Sequence, residues 1–148
     1  MTMNTPPSSL ISRLPDWAHR LDALVQQRLN LPFAWGPNDC AVWGADAYLA
    51  LTGVDALAEL RNAPRRSAAS ALRALRKGGG MPGFMQRGGV PPLAGLPYAR
   101  CGDLVLIEQG EGQRWPVLAV CVGEVALAPG ALGLEPLDMR LAAQGWQV

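Results

Sequence analysis

The sequence predicts one α+β domain in which helices come first and an antiparallel sheet follows. Apolar residues recur at helical spacing as far as Lys77, whereas short β-like runs separated by Gly and Pro fill the chain from about residue 103 onward. A chain of 148 residues holds one hydrophobic core and can bury about two-thirds of its unfolded surface without metals or disulfides. Helices grouped before strands argue against alternating parallel β-α-β units.

Residues 1–14 form a polar N-terminal arm with too little apolar content to fold alone, and 15–148 form the domain. From Pro15 to Leu29, the residues Trp17, Leu21, Leu24, Val25 and Leu29 make one helical stripe, and Pro15 suits a first turn. A second helix runs from Asp39 to Thr52, capped by Asn38 or Asp39 and ended by Gly53. Asp55 to Leu60 adds a short helical turn. Ser67 to Lys77 is a third helix, closed by Gly78-Gly79-Gly80. Gly and Pro then dominate through Pro97. Strands are expected at Asp103–Glu108, Pro116–Val122 and Glu124–Ala128, joined by a turn at residues 108–113 and a tight one at Gly123-Glu124. The tail holds a short helix around Asp138 to Ala143 and a last strand at Trp146.

Composition narrows the function classes. Thirteen basic and twelve acidic residues leave a formal charge of +1, which supplies no electrostatic pull toward nucleic acid or an anionic membrane. The longest apolar runs, Val117 to Val122 and Val125 to Ala128, are far below the ~20 residues a bilayer crossing needs, so no membrane insertion is expected. MTMNTPPSSL does not read as a secretory signal, which predicts synthesis and retention in the cytoplasm. Cys40, Cys101 and Cys121 lack C-x-x-C spacing, and one histidine cannot complete a Cys/His zinc site; neither a metal nor another cofactor is expected. Apolar residues make up 49% and charged ones 17%, so part of the apolar surface is expected to be shared with partners.

One stretch points to chemistry. Phe33-Ala34-Trp35-Gly36-Pro37-Asn38-Asp39-Cys40 puts a cysteine at a helix start, where unpaired N–H groups and the helix dipole favour a thiolate and lower the thiol pKa. Cys40 shares its face with Gly44, Ala47 and Leu51, small enough toward its start to let the helix approach a sheet closely. The plainer reading is a small core cysteine, with Trp35 and Trp43 as core residues and Asn38 and Asp39 as caps. Arg61, Arg65, Arg66, Arg73, Arg76 and Lys77 read as a solvated basic face or a docking surface.

Trp35-Gly36, Asp39-Cys40, Tyr48, Gly53 and Gly102-Asp103-Leu104-Val105 resemble the NlpC-type papain-like cell-wall hydrolases. The likeness is closer still to small relatives encoded in the tail-gene modules of siphophages and prophages, carried by Phe33 to Cys40, Thr52-Gly53-Val54-Asp55, Gly102 to Val105, and Gly133-Leu134 with Trp146. The likeness covers residues 30–148 and implies a papain-like fold with Cys40 as the catalytic candidate. In the active hydrolases the strand after Gly-Asp carries a histidine; here that strand reads Val117-Leu118-Ala119-Val120-Cys121-Val122-Gly123, and the position falls on Val117 or a close neighbour. Valine can neither hold the thiolate in an ion pair nor protonate a leaving amine. The remaining candidates are weak: His19, the one histidine, lies opposite the apolar stripe of its helix and faces solvent, and Glu124 and Asp103 read as turn or edge residues. Cys101 and Cys121 belong to the sheet and its approach.

Three functions stay open. The first is a structural or assembly component of a phage tail tip or baseplate, found in the virion tail after assembly in the host cytoplasm, with other tail proteins as partners. The second is an active cysteine peptidase or amidase that cleaves peptidoglycan during genome entry, with Cys40 as nucleophile. The third is a domain that binds muropeptide without cutting it.

Overall fold

A computed structural model of the chain describes residues 11–109 and 115–148. The first ten residues of the expected arm and most of the 108–113 turn lie outside the described residues.

The expected order of helices and then strands holds. The helices are α1 (Trp17–Arg28), α2 (Cys40–Thr52), α3 (Ala58–Asn62), α4 (Ala68–Lys77) and α5 (Gly80–Arg87). The strands are β1 (Leu104–Gln109), β2 (Trp115–Cys121), β3 (Val125–Gly130), β4 (Gly133–Asp138) and β5 (Ala142–Trp146), with short 3-10 turns at Leu96–Tyr98 and Met139–Leu141. They form one antiparallel sheet in the order β4-β3-β2-β1-β5.

Helix α2 is the centre of the molecule. Ala41, Trp43, Ala45, Ala47, Tyr48 and Leu51 are all buried, and a helix that is apolar on every side must be enclosed. The Asp39 side chain caps its start by accepting from Val42 N, and Gly53, at φ 76°, ends it in the left-handed region that glycine adopts without strain. Helix α1 lays Leu21 and the partly buried Trp17, Leu24 and Val25 on this core. Helix α4 begins at a Ser67–Ser70 capping box.

Side chains alternate across the sheet, so each strand serves two faces. Leu104, Leu106, Leu118 and Val120 point toward the helices. Val105, Ile107, Ala119, Ala126 and Ala128 form a second buried cluster on the far face, closed by Leu96, Val117, Leu137 and Met139. The close approach of α2 to β2 depends on Gly44, where an added Cβ would stand 2.3 Å from Leu118 Cδ2. The small-residue face expected for α2 therefore does lie on the sheet.

Four expectations need correction. Residues 80–87 form α5 in place of an irregular segment: after the Gly78-Gly79-Gly80 break, Met81, Phe84 and Met85 supply a buried face that glycine-rich composition concealed. The segment 133–138 is a strand, because it pairs along the whole of β3. The expected helix around Asp138 to Ala143 shrinks to the 3-10 turn Met139–Leu141 before β5. Asp103 is no edge residue: it is fully buried and accepts from Arg13 Nη2 at 3.1 Å, Arg100 N at 2.8 Å and Val148 N at 2.9 Å. One carboxylate thus ties the segment before α1, the entry to β1 and the C-terminal residue together, and Arg13 adds bonds to the carbonyls of Val148 and Cys101.

Candidate functional site

Most of the stretch from Phe33 to Cys40 serves to build a corner. Ala34 and Asn38 pair as an isolated antiparallel bridge, and Gly36 turns the chain between them at φ 87°. Asn38 is buried and its Nδ2 donates to the carbonyls of Leu31 and Pro32, so it anchors the incoming loop and is not the helix cap. Asp39 is the cap. One of its oxygens takes Val42 N at 3.0 Å; the other takes Gly36 N at 3.0 Å and the Arg65 Nε–H.

Arg65 overturns the expectation of a solvated basic face. It is 8% exposed, its Nε–H donates to Asp39, and its Nη1 donates to the carbonyls of Leu60, Arg61 and Ala63. It staples the α3–α4 connection to the start of α2. Arg61 also turns inward, pairing with Asp46 and Asp55, while Arg66, Arg73, Arg76 and Lys77 are exposed as expected. Nothing in the sequence singles out Arg65 from Arg66, since its carboxylate partner lies 26 residues upstream.

Cys40 opens α2 and lines a cavity of about 420 Å³ enclosed by the start of α2, the α3–α4 segment, and β2, β3 and β4. Burial pushes its thiol up to about 11, a backbone hydrogen bond from Leu118 opposes the shift, Asp39 adds to it, and Arg65 counters it. The expected lowering by the helix start is therefore overridden: desolvation of the charged form exceeds the stabilisation that the helix end offers a thiolate. At neutral pH Cys40 is a protonated, poorly nucleophilic thiol.

The sheet register fixes which way the residues of β2 face. Val117 belongs to the far face, while Leu118, whose backbone reaches the sulfur, faces α2. The β2 residues near Cys40 are Leu118 and, around the shared cavity, Pro116 and Val117, none of which can transfer a proton. His19 is exposed on α1 and does not line the cavity. Glu135 does line it, at an exposed position where its Oε1 accepts from Ala131 N. Glu124 is exposed in the tight β2–β3 turn, as expected.

Trp43 is a core residue, fully buried with its indole N–H donating to the Leu127 carbonyl at 2.8 Å. Trp35 is not: it is 37% exposed, stacks edge-on with Phe33 at 4.7 Å, and forms one wall of the cavity. Cys101 is exposed and Cys121 buried at the end of β2. Among the described residues no group of three His, Cys, Asp or Glu side chains could hold a metal ion.

Fold and site together define an α+β domain built around a buried helix, with a neutral thiol at the helix start facing an apolar cavity. The chain belongs to the DUF6950 family, a domain of unknown function whose family model matches residues 12–148. No curated protein and no solved structure matches it.

Proposed function

We propose that this protein is a catalytically silent, papain-like module of NlpC type that serves as a structural or assembly component of a phage tail tip or baseplate. The observation that carries the silent reading is the state of Cys40: a thiol raised to about 11 in a cavity lined by no histidine. A cysteine hydrolase needs a thiolate at working pH and an acid for the leaving group. The placement in a tail rests on the resemblance of Phe33 to Cys40, Gly102 to Val105 and the C-terminal segment to tail-module proteins. The geometry adds a reason for those motifs to persist without catalysis. Gly36, Asn38, Asp39, Gly102 and Asp103 all hold the fold, so a chain that no longer cleaves anything still requires them.

Partners in this reading are neighbouring tail proteins, and the protein resides in the virion. Mass spectrometry of purified virions from a phage or prophage encoding it should detect the chain at a fixed ratio to the major tail protein; its absence from intact particles would remove the structural role. The rival reading, a peptidoglycan-cleaving peptidase or amidase, draws on the placement of Cys40 at a helix start and at a cavity. Assembled tails incubated with purified peptidoglycan separate the two. Wild-type and Cys40→Ala tails should release equal amounts of muropeptide, and loss of release in the variant alone would establish the enzyme.

A further inference from the structure

The cavity beside Cys40 combines apolar walls with a small set of unused hydrogen-bond donors. Its walls include Phe33, Trp35, Leu72, Leu75 and Trp115. At about 420 Å³ it falls in the ~300–1,000 Å³ range of small-molecule sites. Arg65 lines it while being more than nine-tenths buried. Its Nε and Nη1 are committed to Asp39 and to three carbonyls, but Nη2 has no acceptor among the described residues and is not shut off from solvent. Cys40 and Ala41 line the same cavity; the Cys40 N–H is turned to its own sulfur, while the Ala41 N–H has no partner among the described residues, as expected near the start of a helix.

The acceptors that line the cavity are engaged or lie at exposed positions. Both Asp39 oxygens already accept bonds, Glu135 is exposed with its Oε1 bonded to Ala131 N, and Gln109 is exposed. A ligand that matches must therefore bring a hydrogen-bond acceptor to Arg65 and bury an otherwise apolar body. A sugar or a polar peptide would leave many of its own donors unmatched against Leu and Trp side chains, a cost of about 1–3 kcal/mol for each buried group.

We propose that this cavity is a binding site for an acyl compound, an apolar chain ending in a carboxylate or carboxamide, whose head is held by Arg65 Nη2 and the Ala41 N–H at the start of α2. The site does not depend on the tail assignment. Two sources supply such chemistry, a fatty acyl chain and the C-terminus of an apolar peptide, and the head-group contacts are the same for both.

Calorimetric titration of the full chain tests it, with decanoate and N-acetyl-Phe-Leu as acceptor-headed probes and decylammonium as the donor-headed control. At least one acceptor-headed probe should bind saturably, and decylammonium should bind at least tenfold more weakly than decanoate if the fatty source is correct. If only the peptide binds, its C-terminal amide should bind comparably and the des-carboxyl analogue, N-acetyl-Phe 3-methylbutylamide, should not. Ala68→Trp, which fills the cavity from the first turn of α4, should weaken binding at least tenfold, with circular dichroism confirming the fold. Failure of both acceptor-headed probes to bind saturably would overturn the assignment. So would equal affinity for probes with and without the acceptor head, a comparison made on the wild-type chain and independent of whether any variant folds.

Discussion

At pH 7, iodoacetamide should alkylate Cys40 about a hundredfold more slowly in the folded chain than in the unfolded one. Burial moves the Cys40 thiol from 9.0 to about 11. Two pKa steps change the thiolate population by about a factor of 100, leaving about one molecule in ten thousand reactive at pH 7 against about one in a hundred for an ordinary thiol. Partial burial of the sulfur slows the reagent further. The assay uses Cys101→Ser combined with Cys121→Ala, so that Cys40 is the one thiol left, and follows alkylation by mass spectrometry from pH 6 to pH 11. The reference is the same chain in guanidinium chloride. The folded rate should climb about tenfold with each pH step until it levels near 11. A plateau beginning below pH 8, or a folded rate above the unfolded one at pH 6, would refute the reasoning, because either result requires a thiolate stabilised by a cation or imidazolium.

The same shift couples to stability. A thiol raised by folding holds its proton in the native state after the unfolded chain has lost it, so stability is fully present below pH 9 and declines as pH rises toward 11; urea melts should show the wild type losing about 2–3 kcal/mol more than Cys40→Ala over that interval. Asp39→Ala should destabilise the chain by about 3–5 kcal/mol, since it strands Arg65 without its carboxylate and removes the α2 cap, and adding Arg65→Met should recover part of the loss in denaturant titrations. Gly44→Ala should cost a net ~1–2 kcal/mol by thermal melting: the clash with fully buried Leu118 outweighs the ~1 kcal/mol that Ala gains over Gly inside a helix.

How much of this was legible in the sequence depended on the range of the interaction that fixes each feature. Helix α2 could be placed closely because its cap, Asp39, and its terminator, Gly53, adjoin it in the chain. Strands β1, β2 and β3 were found by their β-branched and apolar runs and the Gly123-Glu124 turn. Strand β4 escaped because Gly133-Leu134-Glu135-Pro136 has weak strand character alone and gains its extended form by pairing with β3. Helix α5 escaped because Gly80, Pro82 and Gly83 in its first turn disguise a face whose burial comes from packing. At the site, the cysteine and its cap were visible as a pattern, whereas Arg65 was grouped with its exposed neighbours.

By itself the sequence determined an α+β domain with Cys40 at a helix start and a second strand built of apolar residues. Those are matters of residue identity and short-range order. Only the tertiary structure decided that burial raises the Cys40 thiol, that Asp39 is engaged by Arg65, that Val117 packs on the far face of the sheet, and that Trp35 lines a cavity. Each of these depends on how much solvent remains around a group and which distant side chain reaches it. Desolvation and ion pairing act through space, between residues whose separation along the chain carries no trace of their meeting.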